Sequence, residues 1–180
     1  MPFEHELRGE NLLWDGVQLD FLWPDSAADA AATVAKNNDS LVVRLKYGDR
    51  TILLPGDAEK QAEYAMLGAN DAAGLHADVL KIGHLRSKNS IMPEFLAAVG
   101  PQIGIIFAGE QNPYGHPSSE LQARLQEAGV RVLRTDQEGA IRVRTDGKNL
   151  QVNCCVACAV PENASAKTQL PDHHQSEKQE

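Results

Sequence analysis

An unbroken apolar run at residues 103–108, Ile-Gly-Ile-Ile-Phe-Ala, constrains the fold more than any other feature of this sequence. Consecutive apolar positions are typical of a strand that is covered on both faces, as in a parallel sheet. Helix signals lie on both sides of the run: Pro93 can begin a helix that ends near Gly100, and a second helix at 117–128 is closed by Gly129. Helices that alternate with buried strands predict an α/β fold with helices on at least one face of the sheet.

Shorter β-rich segments complete this prediction. Two of them flank Gly48-Asp49, which is a good two-residue hairpin turn. A helix is predicted at 57–67, with Asp57 as its N-cap. The remaining strands are predicted at residues 17–23, 41–47, 50–54, 78–82, 130–133, 140–143 and 150–152.

The length of 180 residues favours one domain, which we place at residues 1–153. Residues 154–180 are predicted to be a polar, disordered tail, because from about residue 161 almost nothing in them is apolar. No apolar run approaches the roughly 20 residues that a membrane-spanning helix needs, and the polar N-terminus does not resemble a signal peptide. Expressed alone, the chain is therefore expected in the cytoplasm.

The charge balance argues against general binding to nucleic acid. The net charge is -8, from 25 acidic and 17 basic residues. Such a surface repels phosphate backbones on average, so any DNA contact would need a local basic patch.

Three cysteines, Cys154, Cys155 and Cys158, crowd into one short stretch. Cys155 and Cys158 have the CxxC spacing, but a zinc knuckle needs four ligands and neither a second pair nor a histidine is nearby. We expect a partly apolar segment after the end of the fold, not a metal or redox site.

Three potential ligands each follow an apolar strand or lead into a helix, and each has a structural alternative. Asp57 could be a ligand, or only the cap of a helix after a glycine turn. His84 follows a strand and Gly83, and could be a ligand or a loop residue. His116 stands directly before Pro117 and the start of a helix, where anionic groups are favoured, or belongs to a capping loop made rigid by two prolines.

Together the three residues indicate more than each does alone. Ligands at the ends of successive strands meet at one edge of an open α/β sheet. A carboxylate and two imidazoles are donors that Zn²⁺ and Mn²⁺ accept. Two such metal ions could hold a phosphodiester and lower the pKa of a bridging water.

Several segments in fixed order resemble the ComEC-type family of DNA-uptake proteins, and the resemblance covers residues 9–143. It implies the C-terminal half of a metallo-β-lactamase-like αββα sandwich. In such proteins this domain follows a membrane channel and is proposed to degrade one DNA strand outside the membrane. The segments are NNDSLVVRL at 37–45, LLPGDAE at 53–59, ADVLKIGHLRS at 77–87, NPYGHP at 112–117 and VRVLRTDQEGAIRV at 130–143.

The resemblance also implies roles for the three candidate residues. Asp57 matches the metal-bridging position of the family's Gly-Asp motif, His84 the first His of Gly-His-His-Gly-Ser, and His116 the His of Asn-Pro-Tyr-Gly-His-Pro. All three are thus candidate ligands of Zn²⁺ or Mn²⁺, and His84 and His116 are candidate catalytic residues. Each histidine could be a ligand or a phosphate contact, and the sequence leaves both roles open.

Two departures from the family pattern bear on activity. Leu85 and Arg86 stand where the motif has its second His and its Gly, and the family's His-x-His-x-Asp-His motif is not found before Asp57. We therefore expect an incomplete domain that is inactive alone and associates with an upstream polypeptide carrying the N-terminal half. The sequence leaves open whether this chain by itself holds Zn²⁺, Mn²⁺ or no metal. The alternative is a degenerate or truncated, non-catalytic binding or structural module. The resemblance, unlike the chain alone, implies a membrane-associated, extracytoplasmic location with DNA as partner.

Overall fold

The computed structural model describes residues 8–25, 37–69, 72–83, 91–109 and 117–158. Their main sheet follows the order of the chain, with antiparallel pairing from the first to the fourth strand and parallel pairing from the fourth to the seventh. The predicted α/β class is confirmed. The strands are β1 (Asn11–Trp14), β2 (Val17–Trp23), β3 (Val42–Tyr47), β4 (Arg50–Leu54), β5 (Val79–Ile82), β6 (Ile103–Ile106) and β7 (Arg131–Arg134).

One face of this sheet is covered by helices. Leu53, Leu80 and Ile106 point from the parallel strands into a large buried cluster, where they meet helical side chains such as Met66 and Phe95. We call this side the helix face. In chain order, the helical segments are a 3₁₀ turn (Asn37–Asp39), α1 (Lys60–Ala69), α2 (Ala72–Leu75), α3 (Pro93–Val99), α4 (Ser119–Glu127) and α5 (Thr135–Glu138).

A separate hairpin covers part of the opposite face. Its strands are β8 (Ile141–Thr145) and β9 (Leu150–Cys154). Val79, Ile103 and Leu133 of the main sheet form a second buried cluster with apolar side chains of this hairpin. The parallel part of the sheet is therefore covered on both faces, as the apolar run at 103–108 predicted.

The predicted turn between β3 and β4 lies at Gly48-Asp49, with Tyr47 paired to Arg50. Gly48 has a φ of 59°, and a Cβ there would lie 2.5 Å from the carbonyl oxygen of Gly147 in the β8–β9 turn. Asp49 N donates to the same oxygen at 2.7 Å. Glycine is required at position 48 because the two turns pack backbone against backbone.

The structure differs from the predicted elements at Asp57 and at β1, and it contains the short helices α2 and α5, which were not predicted. The helix after β4 begins at Lys60, so Asp57 is not its N-cap; Ala58 N instead closes a turn onto Pro55 O at 3.1 Å. Strand β1 was missed because its four residues are all exposed. The Asp15-Gly16 turn that follows, with φ of 49° and 81°, is a hairpin signal that could have predicted it.

Cys154 and Cys158 form a disulfide, and Cys155 is exposed and free. The CxxC pair is therefore not the one that is joined, and Cys158 packs on the cluster beneath the hairpin. Residues 159–180, most of the predicted tail, lie outside the described residues, so the proposed division at 153 remains a prediction. Among the described helices, none is long and apolar enough to cross a membrane.

Candidate functional site

The ends of β4, β5 and β6 lie at one edge of the sheet. Ile52 pairs with Val79 and Val79 with Ile103 in parallel register, so the chain leaves these strands on the same side. We call the described residues that follow the strands, at positions 55–57, 83 and 107–109, the carboxyl edge. Asp57, one of the three residues predicted as a metal ligand, lies there, as strand-end placement requires.

The turn that carries Asp57 touches the backbone at the end of β5. A Cβ on Gly83 would lie 2.0 Å from Gly56 O and 3.4 Å from Asp57 Oδ1. Only glycine permits this approach, since no real Cβ comes so close to a carbonyl oxygen. The Asp57 carboxylate, whose side chain is 58% exposed, therefore lies beside the residue that precedes His84.

His84 and His116, predicted as ligands and as catalytic residues, lie outside the described residues, so both assignments remain predictions. Pro117, directly after His116, leads into α4, whose N-cap Ser118 accepts a hydrogen bond from Leu121 N. Within the described ranges, no group of three or more His, Cys, Asp or Glu side chains could hold a metal ion. A metal bound to Asp57 would thus need ligands from elsewhere.

Side chains of the 3₁₀ turn and of Ser40, directly after it, hold the Asp57 turn in place. Ser40 Oγ accepts a hydrogen bond from Asp57 N at 3.1 Å, and Asn38 Oδ1 accepts one from Glu59 N at 3.1 Å. A Cβ on Gly56 would lie 2.8 Å from that of Ser40, so the two segments are in close contact. Asn38 and Ser40 lie within the segment NNDSLVVRL that resembles the family, but no sequence pattern indicated that they support Asp57.

A lysine from the neighbouring strand also reaches this turn. Lys81 Nζ donates to Gly56 O at 3.1 Å and lies 3.9 Å from Asp57 Oδ1. This role of Lys81 could not be predicted, because nothing in the spacing of a strand lysine indicates which carbonyl group it will contact.

Thr135 fixes the carboxyl edge on the side of β6. Its Oγ1 accepts from Ala108 N at 3.0 Å and donates to Ala108 O at 2.9 Å. Both backbone groups of Ala108 are therefore paired where the chain departs toward His116. The contact joins residues 27 positions apart, so no local pattern could have revealed it.

A buried carboxyl group holds the backbone at Ile91 and Met92, directly before α3. Glu63, with 3% exposure, accepts a hydrogen bond from Met92 N at 2.8 Å. Burial raises the pKa of Glu63 from 4.5 to about 7, while the backbone N–H groups of Met92 and Ile91 and the charge of Arg124 oppose that rise. Arg124 also donates to Ile91 O, and Ile91 adopts a φ of 56° that is unusual for a β-branched residue.

No family model matches this chain. Three curated proteins are similar to it over most of its length. ComE operon protein 3 of Bacillus subtilis (strain 168) is 40% identical over 144 residues, which are 80% of this chain and 18% of that protein. Competence protein ComA of Neisseria gonorrhoeae is 33% identical over 129 residues, 72% of this chain and 18% of its own length. Recombination protein 2 of Haemophilus influenzae is 31% identical over 144 residues, 80% and 17% respectively. The chain thus spans less than a fifth of each of these relatives.

Proposed function

Because this chain belongs to the ComEC-type family of competence proteins, we propose that it forms part of a metallo-β-lactamase-like hydrolase domain that cleaves phosphodiester bonds of DNA. The observation that carries this proposal is the position of Asp57, an accessible carboxylate held at the carboxyl edge beside the residue before His84. The names of the relatives refer to competence and recombination, which favours DNA as substrate over the many other substrates that hydrolase folds serve.

The donors that this proposal assigns to the carboxyl edge suit Zn²⁺ or Mn²⁺. Asp57 would supply a carboxylate, and His84 and His116 would supply imidazoles. A bound metal ion would lower the pKa of a water molecule and offset the charge of a phosphodiester. The role of the chain itself would be to hold Asp57 still, through Ser40 and Lys81, and to carry the two histidines on the segments that leave β5 and β6.

An exposed apolar surface on the sheet supports the expectation of a partner segment. Strand register puts Leu12, Leu19 and Leu45 in one line with Ile52, on the side opposite the helix face. Trp14 is 74% exposed and Leu12 51% exposed. We call the exposed large apolar residues on this side the open face. They are Leu12, Trp14, Tyr47 and Leu54.

We propose that the open face packs against a polypeptide that completes the sandwich and supplies further metal ligands. Contiguous exposed apolar patches usually mark interfaces. More than four fifths of each relative lies beyond the matched region, which leaves ample length in those proteins for such a segment. A site completed in this way would contain more ligands than Asp57, His84 and His116.

The proposal is tested by metal-dependent cleavage of single-stranded DNA, with this chain assayed alone and together with the segment that precedes the matched region in a relative. We expect cleavage only in the combined sample. Asp57→Ala and His116→Ala should each lower kcat by about 100-fold or more, the scale of a lost metal or transition-state contact. Asp49→Ala is the matched control, because Asp49 is exposed in the β3–β4 turn, at the opposite end of β4 from this edge. Equal activity in all four proteins would refute the proposal.

The presence of Leu85 and Arg86, in place of the family's second His and Gly, favours a second candidate function. Loss of an imidazole removes a ligand or proton carrier, while arginine adds a fixed cation suited to binding phosphate. On this alternative the chain is a non-catalytic binding module. DNA binding without cleavage in the combined sample, weakened by Arg86→Ala, would support it.

A further inference from the structure

Lys81 is a charged residue at a position of β5 where the neighbouring side chains are apolar. It pairs with Ile105 in the parallel register and alternates with Leu80 and Ile82, which point into the core of the helix face. Its side chain therefore lies on the opposite side of the sheet, in the row of apolar positions next to the hairpin. A lysine there can bury its methylene stem, but its ammonium group must reach water or an acceptor.

The ammonium group reaches the turn that carries Asp57. Its hydrogen bond goes to Gly56 O at 3.1 Å, and the Asp57 carboxylate lies 3.9 Å away. Gly56 O is also the atom that forbids a Cβ on Gly83. A single carbonyl thus joins the lysine, the glycine turn and the end of β5.

The exposure of this ion pair indicates whether Lys81 stabilises the whole fold or only the local turn. The Lys81 and Asp57 side chains are 31% and 58% exposed, and ion pairs that open to water contribute little to global stability. A hydrogen bond to a backbone carbonyl in a tight turn, however, restricts the conformations of that turn. Ser40 holds Asp57 N from one side, and Lys81 holds Gly56 O from the other.

We infer that Lys81 is a positioning residue, which fixes the Gly56–Asp57 turn against β5 so that the carboxylate is held ready for its ligand. The inference rests on the proposed function only for what the carboxylate binds. The geometric claim, that Lys81 orders this turn, stands apart from it.

Amide hydrogen exchange of the full chain tests the geometric claim. Lys81→Met keeps the apolar stem and removes the donor and the charge. We expect exchange at Asp57, Ala58 and Glu59, whose N–H groups are all hydrogen-bonded, to accelerate about fivefold, the effect of one lost hydrogen bond. Lys81→Arg should restore most of the protection.

The matched control is Lys46→Met, which removes an exposed strand lysine of the same charge from β3. It should leave exchange at the three amides unchanged. Amides of the β5–β6 ladder should be unaffected by Lys81→Met, because the lysine acts on the turn and not on the sheet. Acceleration spread evenly over β5 and β6, or no acceleration at the turn, would overturn the inference.

A Mn²⁺ titration distinguishes failure of the inference from failure of the proposed function. In the combined sample, Asp57→Ala should weaken Mn²⁺ binding by about tenfold or more, the cost of a lost supporting or ligating group. Undiminished binding in Asp57→Ala would refute the metal site and leave the exchange result to decide the role of Lys81. Weakened binding in Asp57→Ala, with no change in exchange in Lys81→Met, would refute the role of Lys81 alone.

Discussion

The two halves of the main sheet differ in strand direction and in how their faces are covered. Strands β4 to β7 are parallel and carry apolar side chains on both faces, which helices cover on one side and the β8–β9 hairpin on the other. Strands β1 to β4 are antiparallel, and their second face includes the exposed Leu12 and Trp14. Parallel strands need crossover connections that cover them, whereas the two-residue turns that join β1 to β2 and β3 to β4 cover neither face of the sheet. Within the described residues, the parallel half is covered on both faces, whereas the antiparallel half leaves Leu12 and Trp14 exposed on its second face.

The candidate site lies where these halves meet. Strand β4 belongs to both, and the turn after it carries Asp57. Ser40, which precedes β3, supports this turn from the antiparallel side, and Lys81 of β5 supports it from the parallel side. A segment that packed on the open face would therefore approach Asp57 directly.

The largest expected effect tests whether the halves differ in stability. Leu133→Ala removes a fully buried side chain from the cluster beneath the hairpin, and we expect the free energy of unfolding to fall by about 2–5 kcal/mol. Leu12→Ala removes the same atoms from the open face and should change it by about 0.5 kcal/mol or less. Urea denaturation measures both. Comparable losses would mean that the open face is already covered in the isolated chain.

The second-largest expected effect is on the helix face, where Glu63 of α1 should make the free energy of unfolding depend on pH by about 3 kcal/mol. Burial raises the pKa of Glu63 to about 7, so the folded chain holds a proton there that the unfolded chain releases near pH 4.5. This contribution to stability is fully present below pH 4.5 and is lost as the pH rises through 7. Glu63→Gln keeps an oxygen acceptor for Met92 N but cannot ionise.

Unfolding measured in denaturant from pH 4 to pH 8 should therefore show a steeper loss of stability in the wild type than in Glu63→Gln. The difference between the two curves isolates Glu63 from all other titrating groups. A difference that stays constant with pH would show that the folded state accommodates the ionised carboxylate as well as the unfolded state does.

The sequence predicted the elements whose signals are local. Strand β2 has the predicted bounds, the β3–β4 turn lies at Gly48-Asp49, and α3 begins at Pro93. Each depends on alternation, a turn dipeptide or a proline within a few residues. Strand β1 was missed because a four-residue, fully exposed strand has almost no periodic signal of its own.

The site was predicted only as far as its strand ends. Asp57 could be placed because the carboxyl ends of parallel strands share an edge. The groups that support Asp57 could not be predicted, because each contact depends on tertiary packing between segments that are distant in the sequence. Ser40 meets Asp57 across 17 positions, Lys81 meets Gly56 across 25, and Thr135 meets Ala108 across 27.

The smallest effect compares the supports on the two sides of the carboxyl edge. Ser40→Ala removes the acceptor for Asp57 N, and Thr135→Val removes the hydroxyl that pairs with both backbone groups of Ala108 at nearly constant side-chain volume. We expect a loss of about 1 kcal/mol for Ser40→Ala and an equal or larger loss for Thr135→Val, because water can replace the Ser40 acceptor more readily at the exposed turn. Thermal denaturation of the two variants beside the wild type measures the order. A larger loss for Ser40→Ala would mean that the Asp57 turn is more closed to water than its exposure indicates, and that the antiparallel side contributes more to the site than the parallel side does.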